Sequence, residues 1–294
     1  MGNHDSFFSK LRERLSDLGF RPSSGLGQNF LLDSNLLDAI VRDSGITGGD
    51  DVIEIGPGPG LLTERIAKSA RRVTAVEIDE RLVQYLRETL GHVSNLTILH
   101  GDALGSSKRG LHPEIEKELK SGARIVIGNL PYNISAPLIA NLFRSAHPPA
   151  RGIFMIQKEA AERMLATAGT REFGSLTIML SACCRIEWLR NVSAEVFRPR
   201  PNVDSVVVKV TPLPDRLNCD ELDTLEKIVT TLFTARRKKI GSRLDSWFPS
   251  ADLVLKPLGA SADLRPDQAA ANVYISLARL VHGRGLKRGE NKPS

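Results

Sequence analysis

The chain has 294 residues, of which 41% are hydrophobic, and carries a formal net charge of +6. That length suits one sizeable core plus a smaller domain, and no stretch approaches the ~20 consecutive apolar residues of a helical membrane span. The cysteines Cys183, Cys184 and Cys219 form no C-x-x-C pair and the histidines are scattered, which points to reduced thiols in a cytoplasmic protein and to no metal site.

The positive charge is uneven. Residues 231–294 hold 12 Lys and Arg against 5 Asp and Glu, whereas residues 1–230 hold 28 against 29. Such an asymmetry suits a polyanion partner. A solvated helical surface followed by a basic tail (Arg284, Lys287, Arg288) is the plainer account.

In chain order, Met1 to Leu18 lacks the apolar core of a signal peptide and reads as an amphipathic helix with Phe7, Phe8, Leu11, Leu15 and Leu18 on one side. Arg21 to Gly27 is a loop, and Ser34 to Ser44 a capped helix ended by Gly45. A strand–helix alternation follows: strand Val52–Ile55, helix Gly60–Ser69, strand Val73–Glu77, helix Glu80–Leu90, strand Leu96–Leu99, strand Arg124–Gly128, helix Ser135–Arg144 and strand Gly152–Ile156. This pattern predicts a parallel, doubly wound sheet. Ser175 to Cys184 is apolar on all sides and fits either a buried helix or a strand, while Arg185–Val192 and Ser205–Val210 read as late strands. Thr211-Pro212-Leu213-Pro214 stops both helix and strand, so the domain boundary falls there, giving domains 1–212 and 213–294. Helices are expected at Asp220–Thr234, Arg236–Trp247 and Pro266–Val281.

Three strand ends carry chemistry. Val52-Ile53-Glu54-Ile55-Gly56-Pro57-Gly58-Pro59-Gly60 is a strand entering a glycine-rich turn, where the backbone can approach a ligand and the next helix exposes free N–H groups. A nicotinamide dinucleotide fingerprint would need glycine at position 61, which is Leu61. Glu77 closes the second strand about where an acid takes both ribose hydroxyls. Asp102, in Gly101-Asp102-Ala103, is set to accept from an adenine amino group. Acids ending successive strands around one glycine turn suit a ligand with ribose, adenine and no phosphates, such as S-adenosylmethionine. A pyrophosphate would be repelled. Each acid taken singly also fits the capping of the next helix.

Asn129-Leu130-Pro131-Tyr132 follows the buried strand, at the carboxyl end where open α/β sheets bind ligands. The adenine amino nitrogen is a poor nucleophile because its lone pair is delocalised. Acceptors for both its protons, here the Asn129 side-chain oxygen and the Leu130 carbonyl, would favour a pyramidal nitrogen aimed at an electrophile. Tyr132 offers a flat face for the base. By themselves the same four residues fit a structural turn in which Asn caps and Pro starts the next segment.

Together these segments resemble the ribosomal RNA adenine dimethyltransferases. The resemblance rests on Gly27-Gln28-Asn29-Phe30-Leu31, Glu54-Ile55-Gly56-Pro57-Gly58, Val76-Glu77-Ile78-Asp79, Gly101-Asp102-Ala103, Asn129-Leu130-Pro131-Tyr132-Asn133-Ile134-Ser135, Gln157-Lys158-Glu159 and Phe197-Arg198-Pro199-Arg200-Pro201-Asn202-Val203-Asp204-Ser205, in family order. It implies a Rossmann-like methyltransferase domain with a mainly parallel seven-stranded sheet, then a small helical domain. It implies that Gln28, Asn29, Leu31, Gly56, Gly58, Glu77, Asp102, Ala103 and Asn129 bind S-adenosylmethionine. It further implies a catalytic set of Asn129, Leu130, Tyr132 and Phe197, with a flipped base stacked between Tyr132 and Phe197. Read without the resemblance, Phe197 belongs to a proline-rich connection with its ring in the core.

One branch of this superfamily dimethylates two adjacent adenosines near the 3′ end of small-subunit rRNA; another methylates a large-subunit adenosine and confers macrolide resistance. Leu130 and the Gln157-Lys158-Glu159 segment resemble the first. Arg236-Arg237-Lys238-Lys239 resembles its basic segment, so these residues, with Arg198 and Arg200, are expected to hold rRNA of the small ribosomal subunit, the protein acting as a monomer. The alternative outside enzymology is a catalytically silent RNA-binding assembly or transcription factor on the same fold.

Overall fold

The computed structural model describes residues 28–107, 109–245, 247–283 and 285. The helix expected before Leu18, the loop to Gly27 and the basic tail at Arg284, Lys287 and Arg288 lie outside the described residues. The chain divides into two compact units. The first takes the chain to residue 142, then 147–161 and 186–211; the second takes 143–146, 162–185 and 212 onward.

The strands, which but for the ends of β7 and β9 fall in the first unit, are β1 (Phe30–Leu31), β2 (Asp51–Ile55), β3 (Arg72–Glu77), β4 (Leu96–His100), β5 (Ile125–Asn129), β6 (Arg151–Gln157), β7 (Cys184–Val192), β8 (Phe197–Arg198) and β9 (Ser205–Pro212). Seven of them form one sheet in the order β4-β3-β2-β5-β6-β9-β7. The run from β4 to β6 is parallel and β9 lies antiparallel on β6. The connecting helices are α1 (Ser34–Ser44), α2 (Leu61–Ser69), α3 (Glu80–Leu90) and α4 (Pro113–Lys120), and α5 (Tyr132–Arg144) and α6 (Lys158–Leu165) follow β5 and β6. All five residues of β2 are buried. That is expected of a central strand covered on both faces, and the burial encloses the acidic Asp51 and Glu54 along with Val52, Ile53 and Ile55. Leu37, Ile40, Ile66, Val73, Ile125 and Ile153 fill the core around it.

Local chemistry sets the ends. Asp33 accepts from the Leu36 N–H at 2.8 Å to start α1, and Gly45, at φ +60°, ends it. Asp51 opens β2 from a largely buried position and is held by Arg71 (2.8 Å) and Arg72 (3.1 Å), which keep its carboxyl below the ordinary range. The strand order reverses between β2 and β5, and ligand clefts in such sheets form outside the carboxyl ends at that point.

The second unit is helical: α7 (Ser175–Ser181) packs on α8 (Cys219–Phe233) and α11 (Ala271–Gly283), with the short α9 (Gly241–Leu244) and α10 (Ala251–Leu255) between. Asn218 and Glu221 form a reciprocal capping box on α8. Phe233 and Tyr274 approach with ring centroids 6.1 Å apart.

Several expectations need correction. A division at residue 212 leaves residues 162–185 in the first domain, but the apolar run from Ser175 is a helix and joins the C-terminal helices that cover it. Strand β9 continues through Thr211 to Pro212, since a ladder tolerates proline at its last residue. The helix expected from Arg236 to Trp247 is replaced by turns and the four-residue α9. There the Ile240 and Gly241 N–H groups bond across the chain to the Leu264 (2.8 Å) and Ala262 (3.0 Å) carbonyls instead of along a helix. A side chain at 241 would put a Cβ 2.7 Å from that of Ala262. Helix α11 starts at Ala271 rather than Pro266, whose carbonyl accepts from the buried Tyr274 hydroxyl. Helices α4 and α6 were not foreseen; α4 offers only Ile115 and Leu119 as buried apolar residues in a charged octapeptide.

Candidate active site

The turn after β2 is built from glycine for steric reasons. Gly56, Gly58 and Gly60 have φ of +66°, +56° and +83°, a region L side chains rarely adopt. The Gly56 N–H donates to the Val76 carbonyl at 2.9 Å, which sets the turn on the end of β3. On β5, a Cβ at Gly128 would stand 2.5 Å from the Ile55 carbonyl oxygen, so only glycine lets the two strands end side by side.

Glu77 is 4% exposed. Its Oε2 accepts from the Gly58 N–H at 3.1 Å and its Oε1 from the Asp79 N–H at 3.0 Å. Burial pushes its carboxyl above the ordinary range, against the opposing pull of these backbone donors. Asp79 caps α3 and also accepts from Gln28 Nε2 at 3.2 Å, which ties the start of the described chain to the same strand end. Asp102 is exposed; its Oδ1 accepts from the Leu104 N–H at 2.9 Å.

Asn129 ends β5. Its Nδ2 donates to the Asn29 carbonyl at 3.0 Å, so the side-chain oxygen is the atom left to accept from a ligand. The Leu130 side chain is buried and its N–H bonds the Met155 carbonyl at 3.0 Å, which fixes this residue's backbone. The Pro131 carbonyl is used by the Ile134 and Ser135 N–H groups at the start of α5. Tyr132 is the first residue of α5, and the placement of its ring is outside what the structure describes.

Gln28, Asn29, Leu31, Gly56, Gly58, Glu77, Asp102, Ala103 and Asn129 all line one pocket. Two other lining residues, Ile78 and Glu54, add chemistry of their own. Ile78, beside Glu77, is 45% exposed, an apolar face available to a planar ring. Glu54 is 1% exposed and its Oε2 has no hydrogen-bond partner among the described residues. Desolvation first, and the nearby Glu77 second, push its carboxyl up to about 8, although the Thr63 hydroxyl approaches from α2. A mid-strand acid flanked by Ile53 and Ile55 was the signal available. Among the described residues, Glu54, Glu77 and Asp102 line the pocket together with no Lys or Arg, and an orphaned carboxylate oxygen needs a donor. A cationic, phosphate-free nucleoside derivative fits this donor set; S-adenosylmethionine, with its sulfonium and ammonium, is such a molecule.

Phe197 corrects an expectation. Its ring is 2% exposed and belongs to the core cluster with Leu31 and Val192, because β8 pairs with β1, Leu31 opposite Phe197. A ring so enclosed presents no face to a base. Arg198 turns its guanidinium back to the Glu195 and Phe197 carbonyls, both at 2.8 Å, whereas Arg200 is exposed. In the second unit, Arg236 is committed to the Arg171 (3.0 Å) and Phe173 (3.3 Å) carbonyls and to Asp267. Lys239 pairs with Asp263 at 2.7 Å in an exposed contact, and Arg237 and Lys238 are exposed.

Residues 19–260 match the family described as ribosomal RNA adenine dimethylase. The chain is 40% identical over 261 residues to the ribosomal RNA small subunit methyltransferase A of Alcanivorax borkumensis, covering 88% of this chain and 90% of that protein. It is 36% identical to the protein of the same name from Pediococcus pentosaceus, covering 95% and 96%. Among solved structures, a dimethyladenosine transferase from Plasmodium falciparum superposes with a TM-score of 0.72 at 26% identity, over 87% of this chain and 98% of the other. The 23S rRNA methyltransferase ErmE gives 0.65 at 25% identity, over 85% and 98%. The family match spans most of the chain and takes in every strand of the sheet and the pocket between them: this protein belongs to the ribosomal RNA adenine dimethylase family.

Proposed function

We propose that this adenine dimethyltransferase uses S-adenosylmethionine to dimethylate N6 of two adjacent adenosines near the 3′ end of small-subunit rRNA, acting on the small ribosomal subunit as a monomer. The observation that carries the reading is the Asn129 side chain, fixed by the Asn29 carbonyl at 3.0 Å so that its oxygen is presented at a strand end inside a carboxylate-lined pocket.

When bound, S-adenosylmethionine supplies an electrophilic methyl group on a sulfonium. Glu77, held by two backbone N–H groups, takes the ribose hydroxyls; Asp102 takes the adenine amino group, and Ile78 covers the ring. Asn129 Oδ1 and the Leu130 carbonyl hold the two protons of the target amine, which orients its lone pair and supplies the near-attack geometry that dominates such a displacement. No side chain is assigned as general base, because the alkylated nitrogen can lose its proton to water. Tyr132 serves as the stacking face for the flipped base.

The small-subunit assignment is supported by relatives at 36–40% identity whose names specify that subunit. A large-subunit target is the second reading, supported by the superposition on a 23S rRNA methyltransferase. Incubating the protein with labelled S-adenosylmethionine and under-methylated small or large subunits, then mapping the modified adenosines, decides between them. Two adjacent dimethyladenosines on small-subunit rRNA are expected; label confined to large subunits would refute the assignment.

A further inference from the structure

Glu54 stands where a purely structural carboxylate has little support, the Thr63 hydroxyl being the group that favours its ionised form. It lies inside β2, paired in register with Ala75 on β3 and Ile127 on β5. Its Oε2 and the Thr63 hydroxyl of α2 are both buried without a hydrogen bond among the described residues. An ionised carboxylate in that setting is unfavourable, and the neutral acid is the lower-energy state. The flanking strand residues are uncharged, Thr63 is the polar group from α2, and the charged group acting on Glu54 is Glu77, which opposes ionisation further. Among the described residues the rest of the pocket offers Asp102 and no Lys or Arg, so none of them compensates a negative Glu54.

We propose that Glu54 is protonated in the free protein at neutral pH and surrenders that proton when the pocket receives a ligand bearing an ammonium group, so that cofactor binding and proton release are a single event. The inference rests on the S-adenosylmethionine reading and deepens it: the α-ammonium of the methionine portion is the cation the pocket lacks. The balance is simple. The Glu54 carboxylic acid and the ligand ammonium become a carboxylate–ammonium pair, and one proton leaves to solvent.

Affinity for ammonium-bearing ligands therefore rises with pH below about 8, by up to about tenfold per unit. S-adenosylhomocysteine keeps the ammonium and shares this dependence. 5′-Methylthioadenosine keeps adenosine and the thioether but has no ammonium, and shows none.

The experiment is calorimetric titration of the full chain near pH 7 in buffers of different ionisation enthalpy. With S-adenosylmethionine, a release approaching one proton per ligand is expected, and Glu54→Gln removes it; 5′-methylthioadenosine releases none from either protein. Binding of S-adenosylmethionine without proton release, or equal release with both ligands, overturns the inference and leaves the cofactor reading standing. Failure of both adenosyl ligands to bind overturns the cofactor reading instead. If Glu54→Gln does not fold, the two ligands on the unaltered chain still decide.

Discussion

The Asn129 side-chain amide donates to the backbone carbonyl of Asn29 across 3.0 Å, joining positions 100 residues apart in sequence. The bond orients the amide: with nitrogen committed, oxygen becomes the acceptor. Asn129→Ala is expected to lower methyl transfer to under-methylated subunits at least ~100-fold, the scale of losing a pre-aimed polar group, while the loss of one hydrogen bond costs only about 1 kcal/mol of stability. Filter-bound label and a denaturant midpoint measure the two effects. A variant with full transfer activity would sink the assignment.

Gly128→Ala tests the close approach of β5 to β2. The added Cβ meets the Ile55 carbonyl oxygen at 2.5 Å, a backbone atom that cannot rotate away. A loss of roughly 1–3 kcal/mol is expected, read as a lower urea midpoint at unchanged slope.

Glu54 ties stability to pH. Its folded value of about 8 lies above the ordinary 4.5, so the folded state holds a proton that the unfolded chain gives up. Its contribution is fully present below pH 4.5 and is lost as pH rises toward 8. Glu77 is shifted in the same direction. Thermal midpoints of the ligand-free protein should therefore fall across that window, and Glu54→Gln should flatten the fall. An unaltered slope in the variant would place the titration elsewhere.

The basic segment separates by partner. Arg236 bonds two carbonyls and Asp267 from a partly exposed position, so Arg236→Ala is expected to cost about 0.5–1.5 kcal/mol of stability, the net worth of an ordinary hydrogen bond. Arg237 and Lys238 are exposed. Replacing both with Ala should leave the thermal midpoint unchanged and reduce the salt dependence of subunit binding by about two phosphate contacts. Equal salt slopes in the two proteins would exclude them from the RNA interface.

Phe197→Ala should behave as a core truncation. With the ring 2% exposed, a loss of about 3–5 kcal/mol is expected, measured by chemical denaturation. A variant of undiminished stability would return Phe197 to the surface.

Much of this was legible in the sequence, for identifiable reasons. The parallel strands announce themselves because burial on both faces favours apolar, β-branched residues, as at Val52, Ile53 and Ile55 and at Ile125, Val126 and Ile127. The nine pocket residues were legible because strand ends, glycine turns and acids recur at fixed offsets, and the fold brings all nine together. What failed depended on partners distant in sequence. The turn at Ile240 and Gly241 is dictated by carbonyls at Leu264 and Ala262, which helical periodicity cannot register. Phe197 is buried by pairing with a strand 166 positions earlier, Leu31. Glu54 was visible as a letter, but its orphaned oxygen is a property of the folded neighbourhood.

The two-stranded β1–β8 ribbon has a reach of its own. Arg198 and Phe197 grip Phe30 and Leu31, Leu32 donates to the Val196 carbonyl at 3.1 Å, and Asp204 anchors the far side through the Ala194 N–H at 3.0 Å. Asn29 thus bridges the ribbon, held by the proline-rich segment, and the end of β5, whose Asn129 bonds its carbonyl. Substitutions at Ala194, Val196 or Asp204 would loosen the hook that keeps the Asn129 amide turned, and their symptom would be a blunted methyl transfer in a protein that still recognises its RNA.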